Sequence, residues 1–253
     1  MEYTNLFDND QFVKFKNEIE KYNNFQYYSQ STEMCIRDRD EDIHMKTTVL
    51  LIRHGETEWN QLGKFQGCTD IELSKDGIKQ AEVLRDRLNG DFDYIYASPL
   101  MRAYETARII SSGFHKEITV AQDIREINFG EWEGLTLKGI AEKYPEIFKT
   151  WRTDKTEAKF CGGDSSILNA SLRAKKCIMD IVKKHEGKKI VIVAHGGIIK
   201  AGLIGLFDWD MSMYHKIALG NTCINTIRFN DDLKPVIIGI NDTNHLDCEV
   251  KHV

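Results

Sequence analysis

The stretch Thr47–Asn60 reads TTVLLIRHGETEWN. Thr47–Arg53 is a β-rich apolar run, and it leads straight into His54 and Gly55. A strand that closes on Arg-His-Gly brings a cation and an imidazole to the carboxyl edge of a sheet, where open α/β sheets bind ligands. Gly55 allows close backbone approach or a positive φ. The same device returns 141 residues later. Lys189–Ala194 (KIVIVA) is a continuous β-branched run, as expected of a strand buried on both faces, and it leads into His195, Gly196 and Gly197. A helix starting there would aim its N-terminal amides at an anion. Two such strands in one parallel sheet put both imidazoles on the same edge.

Outward from these runs, strand and helix signals alternate. Ser74 is an N-cap candidate for a helix over Lys75–Leu88, where Ile78, Ala81, Leu84 and Leu88 keep helical spacing. Phe92–Ala97 reads as a strand, Pro99–Ser111 as a helix opened by an early proline, and Ile118–Ala121 as a short strand. Leu137–Trp151 is helical in two pieces broken near Pro145, Ser165–His185 is a long helix, and Ile198–Leu206 is another. Cys223–Phe229 and Val236–Asn241 are late strand candidates. The alternation predicts an α/β fold: a three-layer α/β/α sandwich with a mostly parallel central sheet. The stretch 135–185 carries no strand signal and is expected to form a small helical cap beside it.

Two further segments carry polar residues at predicted strand ends or loops. In SPLMRAYETA (Ser98–Ala107), Arg102 falls in the first helical turn, against the helix dipole. It either pairs with Glu105 or Glu126 or waits for an anion. In REINFGEWEG (Arg125–Gly134), a glycine-punctuated loop presents Glu126, which taken singly would be assigned to solvent.

RHGETEWN, SPLMRAYETA, REINFGEWEG and VIVAHGG, in that order, resemble the histidine phosphatase (phosphoglycerate mutase-like) superfamily, over Met45 to about Leu246. The resemblance implies that His54 is the nucleophile, forming a phosphohistidine. Arg53, Arg102 and His195 would hold the phosphoryl oxygens, with Asn60 and Gly196 assisting. Glu126 would protonate the leaving oxygen and then activate water. Phosphoryl transfer asks mostly for positioning and charge stabilisation, which forked guanidiniums supply. A neutral imidazole nucleophile is plentiful at neutral pH, whereas His195 would serve better protonated. A carboxyl group facing a phosphate dianion favours its protonated form. No metal or other cofactor is required.

Only a short helical segment, YPEIFKTWRTD, follows the acid motif, where the mutase branch carries a longer insertion. The pattern is similar to the phosphatase branch, including α-ribazole phosphatases. The expected function is therefore hydrolysis of a small phosphomonoester. A cofactor-dependent phosphoglycerate mutase is the alternative, and a non-catalytic phospholigand-binding protein is a third reading. FCGGDSSILNAS departs from the Pro-Gly-Gly-Glu-Ser common in the family, since Cys161 and Asp164 stand at the first and fourth positions. This leaves the cap entrance open to question. Gln66-Gly67 is either pocket wall or turn, and Trp132 and Trp151 are either apolar wall or core, with core favoured for Trp151.

The 253 residues carry a net charge of −5, and residues 1–44 account for all of it with ten acidic and five basic side chains. The body from Met45 is neutral, which argues against nucleic-acid binding by bulk charge. No apolar run reaches the roughly 18 residues of a membrane helix. The six cysteines form no CxxC pair. They are read as free thiols in a reducing compartment, and the cytoplasm is the expected location. Gln11–Tyr22 places Phe12, Phe15, Ile19 and Tyr22 on one helical stripe. Glu33–Arg39 (EMCIRDR) resembles the in-frame translation of a sequencing-library adapter. Residues 1–44 are therefore expected to be an extraneous or disordered leader, with a genuine docking extension as the alternative, and 45–253 the phosphatase domain.

Overall fold

The computed structural model describes residues 46–246. The Gln11–Tyr22 stripe, the 33–39 peptide, Cys35 and Cys248 lie outside the described residues. Six strands form one sheet: β1 (Thr47–Arg53), β2 (Tyr94–Ala97), β3 (Ile118–Val120), β4 (Lys189–Ala194), β5 (Ile224–Phe229) and β6 (Pro235–Asp242). Their order is β3-β2-β4-β1-β5-β6, with β3, β2, β4 and β1 mutually parallel and β5 and β6 added antiparallel. Seven α-helices accompany them among the described residues: α1 (Glu58–Gln61), α2 (Lys75–Leu88), α3 (Met101–Ser111), α4 (Leu137–Lys143), α5 (Pro145–Thr153), α6 (Ile167–Lys184) and α7 (Gly196–Leu206).

The period-2 alternation of the central strands sorts their side chains into two cores. Val49 and Leu51 of β1 join Ile190, Ile192 and Ala194 of β4 against α6 and α7 residues such as Ile178, Val182, Ile198 and Leu203. Leu50, Ile52, Val191 and Val193 point the other way, against Leu84 and Leu88 of α2 and Ala103, Ala107 and Ile110 of α3. This is the expected three-layer sandwich. Ile190 through Val193 are each fully buried, and each contributes about 1.5–3 kcal/mol of transfer free energy. No helix among the described residues is long and apolar enough to cross a membrane.

Three details differ from expectation. Pro99 does not open α3: the helix begins at Met101, with Leu100 in an extended conformation at the cap. The Leu100 amide is taken instead by the Ser98 hydroxyl at 3.3 Å. α7 starts at Gly196, because His195 is still extended (φ −130°, ψ 161°) while both glycines are already helical. The cap is smaller than 135–185. α6 lies along α7, and a Cβ at Gly205 would sit 2.7 Å from Ser171 Oγ and 2.9 Å from its carbonyl oxygen. Only α4 and α5, with Pro145 as the first residue of α5, remain as the cap.

Candidate active site

β1 and β4 are parallel neighbours with Arg53 opposite Ala194, and the His54 amide donates to the Ala194 carbonyl at 3.0 Å. Each strand continues into its histidine at the same level, so the two rings meet with centroids 5.1 Å apart. His54 is buried, and its Nδ1 lies 2.6 Å from the Gly55 carbonyl oxygen. A carbonyl oxygen only accepts, so Nδ1 carries the proton and Nε2 keeps a free lone pair. Burial holds the His54 pKa well below the ordinary 6.5, and the Arg102 and Arg53 charges push the same way.

His195 is fully buried, and its Nε2 lies 2.7 Å from Ser98 Oγ. Its pKa is also well below 6.5, through burial first and then Arg102, His54 and Arg53. This corrects the expectation of a protonated His195: the surroundings supplied by the protein favour the neutral ring.

Arg102, on the first turn of α3, is fully buried and pairs with neither carboxylate suggested from the sequence. Its guanidinium donates to the carbonyls of Gly67 (2.7 Å) and Thr69 (2.9 Å), while Glu105 binds Arg108. The Gly67–Thr69 loop is in turn stapled by Glu133, which accepts from the amides of Cys68 (2.9 Å) and Thr69 (3.0 Å). Gly67 has φ +53°, and a side chain there would collide with Glu133. Arg53 donates to the Leu219 carbonyl and lies against Gly196, where a Cβ would come within 3.4 Å of its Nε. Among the described residues Arg53 Nε, Arg102 Nε and His195 Nδ1 are buried without a hydrogen-bond partner. These unpartnered nitrogens suit an anion, although Gln66 Oε1, an acceptor, is buried without a partner as well.

Glu126 is the largest surprise. Its Oε1 accepts from the amides of Ile127 (2.9 Å) and Ile198 (2.8 Å), and its Oε2 from that of Gly197 (3.0 Å). Two of the α7 amides expected to face an external anion, those of Gly197 and Ile198, are thus occupied by the protein's own carboxylate. Gly197 is required there, since a Cβ would lie 2.6 Å from Glu126 Oε1 and 2.9 Å from the Tyr214 hydroxyl. Oε2 has a lone pair to spare for a proton.

The loop that carries Glu126 is clamped from both sides by Asp164. Its Oδ2 accepts from the Asn128 amide (2.8 Å), Arg173 (3.1 Å) and Arg125 (3.2 Å). Its carboxyl stays below the usual aspartate range because these bonds and charges outweigh its burial. Gly162 packs so tightly on this loop that a Cβ would lie 2.1 Å from the Asn128 carbonyl oxygen. FCGGD is therefore a brace for the Glu126 loop.

Arg53, His54, Asn60, Arg102, Glu126 and Gly196 line one cavity of about 190 Å³, and His195 stands beside His54 without lining it. Asn60 Oδ1 accepts from the Thr57 amide (3.1 Å) and from Asn221 (3.2 Å), so that oxygen caps α1. Gln66 and Gly67 line the cavity. Phe65 and Phe129 form its apolar wall, and Trp132 and Trp151 are core behind them. Sequence reasoning missed Lys64, Phe65, Phe129, Lys200, Tyr214 and Leu219 as lining residues. Lys200 was findable, since it lies one helical turn beyond Gly196 and shares its face. Tyr214, in a 3-10 turn at Met211–His215, leaves no spacing signal.

Residues 49–243 match the sequence profile of the histidine phosphatase superfamily (branch 1). The chain belongs to that superfamily. It is 34% identical over 201 residues to phosphoserine phosphatase 1 of Hydrogenobacter thermophilus, covering 78% of this chain and 93% of the relative. It is 32% identical over 212 residues to the metal-independent phosphoserine phosphatase of Arabidopsis thaliana, covering 81% and 87%. Among solved structures it is similar to a mutant phosphoserine phosphatase from Entamoeba histolytica in complex with phosphoserine. The TM-score is 0.75 and the identity 42%, over 79% of this chain and 99% of that one. The protein is a phosphatase, with the α/β architecture of this superfamily.

Proposed function

We propose that this phosphatase hydrolyses a small phosphorylated metabolite through a phosphohistidine on His54. In the first step His54 Nε2 attacks phosphorus, the ester P–O bond breaks, and the Glu126 carboxyl gives its proton to the leaving oxygen. In the second step Glu126 takes a proton from water, the water oxygen attacks phosphorus, and the N–P bond breaks to release phosphate. Arg53, Arg102 and His195 hold the phosphoryl oxygens, with Asn60 and Gly196 at the rim, so that developing charge meets preorganised donors. The observation that carries the reading is His54 itself: a buried imidazole whose Nδ1 proton is tied to Gly55 at 2.6 Å, within reach of the charges of the buried Arg102 and the half-buried Arg53.

Phosphoserine, the ligand named for the Entamoeba histolytica structure, is the first substrate to test. The location we propose is the cytoplasm, and the catalytic domain is residues 45–253, with 1–44 outside it. His54→Ala is expected to abolish both turnover and a phosphoenzyme that is acid-labile and base-stable; labelling that survives the substitution would remove His54 from its role. Isomerisation of phosphoglycerate with a bisphosphate primer, faster than release of phosphate, would favour the mutase reading instead.

A further inference from the structure

The charges around the cavity do not cancel against a phosphate alone. Arg53, Arg102, Lys64 and Lys200 line it as cations, and Glu126 is the one carboxylate among its lining residues. This leaves an excess of three positive charges, or four once Glu126 carries the proton it gives to the leaving oxygen. A phosphomonoester removes about two of them at neutral pH. At least one positive charge is left for a second anionic group on the same ligand.

That charge can be located. Arg102 and Arg53 are the two cations that act on His54, so they belong to the phosphoryl group. Lys64 holds its ammonium over the Trp59 ring, 5.6 Å from the centroid. Lys200 sits deeper, on α7 one turn beyond Gly196, with its Nζ 5.2 Å from the centre of the Tyr214 ring. Burial and the neighbouring Arg53 both disfavour its charge, and Glu126 is the carboxylate whose field reaches it. Glu126 is already committed to the amides of Ile127, Gly197 and Ile198. Tyr214 gives no counter-charge, because burial raises its phenol well above the ordinary value. A partly desolvated ammonium is costly until an anion reaches it when the one carboxylate lining its cavity is engaged elsewhere.

We propose that Lys200 binds a carboxylate of the substrate, and that this subsite makes the enzyme prefer phosphomonoesters bearing a carboxylate a few bonds from the phosphate. The inference rests on the phosphomonoesterase reading and deepens it. Phosphoethanolamine and phosphoserine form a matched pair that differs by the carboxylate. The wild-type enzyme is expected to favour phosphoserine in kcat/KM by about 10- to 100-fold, the range of a hydrogen bond to a charged group. Lys200→Met is expected to collapse that ratio toward unity, and Lys200→Arg to keep it. A wild-type ratio near unity, or a Lys200→Met variant that slows both esters in parallel, would overturn the subsite. Calorimetric titration of the full chain and of Lys200→Met with the same two compounds reads the ratio without turnover. Failure of the wild-type enzyme to release phosphate from either ester, or from p-nitrophenyl phosphate, would overturn the phosphomonoesterase reading alone.

Discussion

At the residue scale, the site depends on how protons are held. His54 and His195 both resist protonation in the folded protein, chiefly through burial. An unfolded chain takes up these protons near pH 6.5, the folded protein only well below it. Between those two points the unfolded state binds more protons, so stability falls as pH drops. The melting temperature is therefore expected to be level from about pH 8 to 7 and to decline below about 6.5. Thermal unfolding across that range measures it, and a midpoint that rises on acidification would contradict the burial of two neutral rings. Glu126→Gln removes the proton donor and one acceptor for the α7 amides. A loss of about 10²- to 10⁴-fold in kcat is expected with alkyl phosphates. The loss should be smaller with p-nitrophenyl phosphate, whose leaving group departs without a proton. Equal losses on the two would deny Glu126 the role of general acid.

At the element scale, the proposed catalytic groups are held by loops that other elements pin down. Arg102 is oriented by the Gly67–Thr69 loop, which Glu133 staples from within the same motif that carries Glu126. Glu126 is oriented by α7 on one side and by Asp164 on the other. Asp164 is nearly buried, whereas Arg173 and Arg125 keep 15% and 36% of their side chains exposed. Asp164→Ala strands those two cations and the Asn128 amide. The expected destabilisation is about 2–3 kcal/mol, less than the roughly 3–5 kcal/mol of a broken buried pair because Arg125 can reach water. Denaturant unfolding measures this, and kcat should fall with it as the Glu126 loop loosens. Unchanged stability and turnover would show that the glycine packing of Gly162 braces the loop unaided.

At the scale of the whole molecule, the sheet order decides everything else. β1 and β4 are adjacent although 135 residues of chain separate Arg53 from Lys189. Both active-site strands lie in the middle of the sheet, covered on each face, so the two histidines inherit a dry setting from the fold. All the groups named in the mechanism lie within Arg53–Gly197. A chain that starts at Met45 is accordingly expected to retain the turnover of the full chain, and to retain it in EDTA, since imidazole and guanidinium groups supply the nucleophile and the charge. Steady-state assays of both chains with and without chelator check this. Loss of activity on removing residues 1–44, or restoration by a divalent ion after EDTA, would overturn the corresponding part of the proposal.

Local sequence was enough to place the elements and to nominate the proposed reacting groups. Apolar period, a β-branched run and a glycine after each histidine are local properties, and they mark strand ends wherever the chain goes. Hence Thr47–Arg53 and Lys189–Ala194 were legible as strands to the residue, and Arg53, His54, Arg102, Glu126 and His195 as candidates. The tertiary structure decided what each group faces. Whether the Gly197 and Ile198 amides meet an external anion or Glu126 depends on a loop 71 residues before Gly197, which no local pattern encodes. The preference of His195 for its neutral form depends on burial beside Arg102 of α3 and beside Arg53 and His54 at the end of β1, two elements far apart in the chain. The charge left over at Lys200 appears only when all the cations around the cavity are counted together. Local backbone preference acts over a few residues, whereas desolvation and charge act through space, and only the folded chain brings those neighbours together.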